Sequence, residues 1–160
     1  LTARADGTGQ PCCRYYFGLY VTDAGAVLQG EMLRLHAQGG LQNAALYVAE
    51  QAVARLRESS LTAQNGDADT RGIEVWGSAV ELDRISIEAE SSNTNARAIE
   101  ATDSQVTVRN STLAAAGGYA TAGATNINTA FTLSNSSVTV LGGIGQSFGI
   151  QALDDTGCLL

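Results

Sequence analysis

The chain has 160 residues, 44% of them hydrophobic, with 18 Gly and one Pro, which is enough apolar content for one domain with a buried core. A net charge of −7 gives no basic footprint for nucleic acid or an anionic membrane, so neither is an expected partner. All the positive side chains are Arg, which excludes a Lys nucleophile, a Schiff base and a P-loop.

There is no apolar run long enough to cross a membrane, and LTARADGTGQ at 1–10 lacks the apolar core of an export signal. Cys12, Cys13 and Cys158 fit neither a disulfide framework nor a zinc-ligand spacing, so no cofactor or metal is expected. Cys12 and Cys13 stand about six rungs from Cys158, too far for a bridge at strand spacing.

In chain order, LTAR at 1–4 matches LTAQ at 61–64 and is read as the third strand of a repeating unit. Leu28, Leu56, Leu82, Val108 and Leu133 mark one position of that unit, each followed five places later by an apolar residue: Leu33, Leu61, Ile87, Leu113 and Val138. Leu19, Ile73, Ile99 and Ala124 stand nine places before four of these, preceded by Gly18, Gly72, Ala98 and Gly123, and Ile150 extends the series to Leu159. The unit containing Leu46 is one residue longer, which implies a bulge or a turn insertion.

The stretch AALYVAEQAVARLRES at 44–59 is rich in helix formers, yet the repeat register assigns it to strands. At 71–89, RGIEVWGSAVELDRISIEA alternates with Ile73, Val75, Val80, Leu82, Ile87 and Ala89 inward, the period of strands. Three short strands per unit of about 26 residues, stacked so that each turn covers the apolar face of the last, predict an all-β fold: a right-handed single-stranded parallel β-helix of about six turns.

In VRNSTL and LSNSSV, Asn110 and Asn135 fall in the tight turn between second and third strands, with Gly30, Glu58 and Arg84 assigned to the same slot. Ser59, Ser111 and Ser136 recur beside that turn and are expected to satisfy backbone groups. Segments 36–44, 64–71, 90–97, 116–122 and 141–148 are assigned to loops at one corner, with His36 solvated in the first of them. Both ends fall mid-turn, so residues 1–160 are read as one segment of a longer solenoid, with self-association through exposed strand edges as a consequence.

The unit of 71–89 and its neighbour RAIEATDSQVTVRNSTLAA at 97–115 resembles the pectin-lyase-like right-handed β-helix superfamily, most like bacterial autotransporter passengers of the pertactin type. The resemblance covers essentially the whole chain. It implies an extracellular or bacterial cell-surface location, likens Asn110 and Asn135 to the family's second-turn asparagines, and likens the strand after the loops to its substrate-facing sheet. No catalytic motif of the family's enzymes is matched, and the fold alone does not choose a function.

On that first strand the outward residues form one stripe of Tyr20, Tyr47, Glu74, Glu100, Thr125 and Gln151. Rungs about 4.8 Å apart would bring Glu74 and Glu100 near the roughly 5 Å carboxyl separation of a retaining glycosidase. The simpler account, and the preferred one, is two surface carboxylates helped by Arg71 and Arg97 in the preceding loops. Tyr20, Tyr47, Glu74 and Glu100 are the candidate ligand-binding residues, for a saccharide lying along the coil. Asp67, Asp69 and Glu90 offer oxygen ligands at one corner but match no calcium motif. Trp76 is expected to pack at the first corner, with an exposed apolar platform as the alternative, and Cys158 to share an outward slot with Thr107 and Thr132.

The function expected is a non-catalytic extracellular scaffold or adhesin segment, with a polysaccharide or cell-surface ligand as partner. The alternative is a carbohydrate-active β-helix, a lyase or hydrolase.

Overall fold

The computed structural model describes residues 2–7, 15–153 and 157–159, and every regular element among them is a strand. The first sheet contains β2 (Tyr15–Val21), β5 (Gln42–Ala49), β8 (Asp69–Trp76), β11 (Asn95–Thr102), β14 (Ala120–Ile127) and β17 (Gln146–Leu153). The second contains β3 (Val27–Glu31), β6 (Val53–Arg57), β9 (Ala79–Asp83), β12 (Gln105–Arg109), β15 (Ala130–Ser134) and β18 (Gly157–Leu159). The third contains β1 (Thr2–Gly7), β4 (Arg34–Gly39), β7 (Ser60–Gln64), β10 (Ser86–Ser91), β13 (Thr112–Gly117) and β16 (Ser137–Leu141). All three sheets are parallel, and the chain visits them in rotation, so the molecule is a β-solenoid with three strands per turn.

Alternation supplies the core. Ile73, Val75, Val80, Leu82, Ile87 and Ala89 are all buried, and the neighbouring turns stack like on like, as in Leu56, Leu82 and Val108. The segment 44–59 is β5 and β6, because its apolar side chains pair in register with β8 and β9 on the next rung; packing there outweighs helix propensity. The extra residue of that unit lies in the corner after β5. Ala49 pairs with Trp76 and Val53 with Ala79, so residues 50–52 face only 77–78, and Glu50 and Gln51 both take positive φ.

The corner between second and third sheets repeats one device. Met32, Glu58, Arg84, Asn110 and Asn135 all have φ between 48° and 55°, and the first four donate their N–H to a carbonyl one rung on, from Arg57, Asp83, Arg109 and Ser134. Left-handed backbone costs a non-glycine residue about 1–2 kcal/mol, and the rung-to-rung bond offsets it at each position. Beside them, Ser111 Oγ donates to its own strand's Arg109 carbonyl (2.6 Å) and accepts the Ile85 N–H (3.0 Å); Ser59 serves Arg57 and Leu33 in the same way. Ser136 accepts from the Ser111 N–H, which completes the expected hydroxyl rank.

Register corrects the first and last units. The partner of Leu56 is Gly30, not Leu28, and the partner of Leu61 is Leu35, not Leu33. Gly30 is therefore a strand residue, and Met32 occupies the turn slot assigned to it. Its lack of a side chain makes room for Leu33, whose methyl a Cβ there would overlap. At the other end Cys158 pairs with Phe131 and Leu159 with Thr132, one step from the expected alignment. Cys12 and Cys13 lie outside the described residues.

The corner before the first sheet holds shorter connections than expected, because strands extend into the segments assigned to loops. His36 is half-buried within β4, paired with Thr62, and its Nε2 lies 3.5 Å from Gln38 Oε1. Arg71 and Arg97 are likewise strand residues. The turns close tightly on Gly117–Gly118 and Gly142–Gly143, all at positive φ; a Cβ on Gly118 would overlap the Thr94 carbonyl.

Candidate functional site

The outward stripe of the first sheet is in register throughout: Tyr20 pairs with Tyr47, Tyr47 with Glu74, Glu74 with Glu100, Glu100 with Thr125 and Thr125 with Gln151. A second feature shapes this face. Gly18, Ala45, Gly72, Ala98, Gly123 and Gly149 form a column of small residues that the ladder pairing skips. Ala45 and Ala98 are fully buried, and a Cβ on Gly72 would meet the side chain of Ile87 in the core. In an unbroken strand, residues three apart point to opposite faces. Here the irregularity returns them to one face, so Arg71 meets Glu74 and Arg97 meets Glu100.

The outcome is a dense ion-pair network. Arg71, only 7% exposed, donates from Nε to Glu100 Oε2, from Nη1 to Gln42 Oε1 (3.3 Å) and from Nη2 to Asp69 Oδ2 (3.2 Å). Arg97 Nη1 donates to Asp69 Oδ1 (2.9 Å) and lies 3.5 Å from Glu100 Oε2, while Asn95 Nδ2 also donates to Asp69 Oδ1. Glu74 accepts from Trp76 Nε1 at 3.0 Å and reaches Arg71 Nη1 only at 3.6 Å.

These contacts set the charges. Burial pushes the Glu74 carboxyl above its ordinary value; Arg71 and the Trp76 N–H pull it back, and Glu100 and Asp69 add to the rise. Arg71 spends its direct bond on Glu100, so Glu74 is the less compensated of the two carboxylates. For Arg71, burial works against the charge, but Glu100, Glu74 and Asp69 hold its guanidinium protonated more firmly than usual. Burial, then the Glu74 charge, raises the Tyr47 phenol.

Next to the network stands an aromatic cluster. Tyr20 and Tyr47 stack with centroids 4.9 Å apart and planes 1° from parallel, and Phe17 leans on Tyr47 at 4.7 Å and Tyr20 at 5.4 Å. Tyr15 stacks on Phe17 from the edge. Tyr15, Tyr20 and Trp76 remain about half exposed or more, at 61%, 51% and 47%. Trp76 therefore faces outward instead of packing into the corner, since alternation after Val75 turns it away from the core. Together Tyr15, Phe17, Tyr20, Gln42, Tyr47, Arg71, Glu74 and Trp76 line a groove of about 540 Å³.

All four candidate residues thus share one face, and Tyr20, Tyr47 and Glu74 line the groove while Glu100 anchors its arginine from the next rung. Glu74 and Glu100 are not the exposed pair expected. Arg71 hydrogen-bonds Glu100 and lies 3.6 Å from Glu74, so one guanidinium faces both carboxylates. Phe17 and Tyr15 were missed, and Trp76 takes the exposed position that was its alternative. Phe17 and Arg71 carry a legible signal, an outward residue three places before the stripe across a small residue, as in Phe17-Gly18-Leu19-Tyr20 and Arg71-Gly72-Ile73-Glu74.

The acidic corner does not converge. Asp69 is held by Arg71, Arg97 and Asn95, and Glu90 accepts from Gln64 Nε2 at 3.2 Å. Among the described residues no group of three His, Cys, Asp or Glu is placed to hold a metal ion. Compared with protein-family models, with curated proteins and with solved structures, the chain matches none.

Proposed function

We propose that this chain is a non-catalytic extracellular scaffold of a bacterial surface or secreted protein, a pectin-lyase-like β-helix akin to pertactin-type passengers, that holds a saccharide on the first sheet. The observation that carries the proposal is the groove itself, where half-exposed aromatic rings adjoin the buried Glu74 carboxylate, held by the Trp76 N–H. Aromatic faces suit sugar C–H groups, and Glu74 has acceptor capacity left for a hydroxyl. The stacking of Tyr20 on Tyr47 turns one face of each ring to the other, so the ligand meets the outer faces and the exposed edges.

A glycan array comparing wild type with Tyr20→Ala/Tyr47→Ala tests it. Binding by wild type that is lost in the double variant is expected; equal or equally absent binding rejects the proposal. Release of reducing sugar from a polysaccharide by wild type but not by Glu74→Gln would replace it with the carbohydrate-active alternative.

A further inference from the structure

The charge arrangement of the groove bears on which glycan it takes, granting the saccharide reading above. Every nitrogen of Arg71 is already engaged: Nε with Glu100, Nη1 with Gln42 and Nη2 with Asp69. Arg97 meets Asp69 and Glu100 through Nη1 and does not line the groove. These two guanidiniums face three carboxylates, Asp69, Glu74 and Glu100, and Glu50 adds a further negative charge near Tyr47. Arg71 is also covered, at 7% exposure, so it offers no free fork to a ligand carboxylate.

We infer that the groove selects uncharged or amino-bearing glycans and excludes acidic ones. A uronate or sulfate entering between Tyr47 and Trp76 meets Glu74, the least compensated carboxylate, in a setting where water screens poorly. To gain a cationic partner it would have to draw Arg71 away from Glu100, Gln42 and Asp69, leaving Glu100 with only the Arg97 contact at 3.5 Å. A hydroxyl or ammonium group meets the opposite situation, since Glu74 and Gln42 both present acceptor oxygens to the groove. The aromatic rings contribute to either class alike, so charge is what discriminates.

The test is equilibrium binding of the whole chain to three soluble oligosaccharides of equal length: a neutral β-glucan, a glucosamine oligomer and a polygalacturonate. The neutral or the amino-bearing oligomer is expected to bind at least about tenfold more tightly than the polygalacturonate, with the gap shrinking in high salt and in Glu74→Gln. Polygalacturonate binding as tightly as the other two overturns the charge inference and leaves the saccharide reading standing. Binding of none of the three overturns the saccharide reading and the inference with it.

Discussion

The corner between second and third sheets and the outer face of the first sheet are built on the same rungs, yet only one of them repeats its chemistry. At the corner each turn has a left-handed residue whose N–H reaches, in four of the five turns, the rung beyond, whether the side chain is Met32, Glu58, Arg84 or Asn110. On the face the stripe changes from Tyr20 and Tyr47 to Glu74 and Glu100 and then to Thr125 and Gln151. The coil dictates backbone angles and small hydroxyls at the corner whatever else the protein does. It dictates nothing about the outward residues, so a cluster of aromatics and buried charge there calls for a reason outside the fold.

The comparison breaks hardest on its structural side. Val80 is buried between Ala54 and Val106, and Val80→Asp places an unpaired charge in that column at a cost of several kcal/mol. Loss of the β-sheet circular dichroism signal at room temperature is the expected result; a folded, cooperative variant would mean that the interior is wetter than its burial indicates. A milder version acts at the corner. Ser111→Ala strips the buried Ile85 N–H of its acceptor and leaves the Arg109 carbonyl with the Arg84 N–H alone, so a loss of about 1–3 kcal/mol in denaturant unfolding is expected. Glycan binding should be untouched, the reverse of the Tyr20→Ala/Tyr47→Ala pattern, whose stacking pair contributes under about 1 kcal/mol.

This division explains what the sequence disclosed. Period-two alternation and a repeat near 26 residues identify the coil, and the stripe from Tyr20 to Gln151 follows by counting. Counting fails where the unit length changes. Leu28 and Leu33 lie two residues from the true register, because both are apolar and Gly30 gives no sign of pointing into the core. The ion-pair network was legible in part: Arg71 and Arg97 were expected to help Glu74 and Glu100, but from loops, because strict alternation places Arg71 and Glu74 on opposite faces and only the small-residue column at Gly72 and Ala98 brings them together within the strand. Strand extension toward the Gly-rich corner likewise turned expected loop residues, His36 and Arg71, into sheet residues.

Titration separates the two regions by sign. Burial raises Glu74, so the folded state binds that proton more tightly than the unfolded chain, with its value of about 4.3, does. Its contribution to stability is full below that value and is lost as pH rises through the folded pKa. Trp76 is the only tryptophan and donates to Glu74, so its fluorescence should step at a pH above the ordinary glutamate value, and Glu74→Gln should abolish the step.

The smallest expected effect lies at the repeating corner, with the opposite sign. Asn110 Nδ2 donates to Asp83 Oδ1 at 2.8 Å, and this bond, followed by the charges of Arg84 and Arg57, holds the Asp83 carboxyl below its ordinary value. The folded state therefore releases that proton more readily than the unfolded chain, whose value is about 3.9. Stability from Asp83 is full above the unfolded value and is lost as pH falls through the folded pKa. The partners are solvent-facing and salt screens them, so the effect is slight. Thermal unfolding of wild type and Asp83→Asn from pH 6 to pH 2 should converge at the acid end, with the wild type falling more steeply. Parallel curves would show that the corner owes nothing to this charge and is held by its backbone bonds alone.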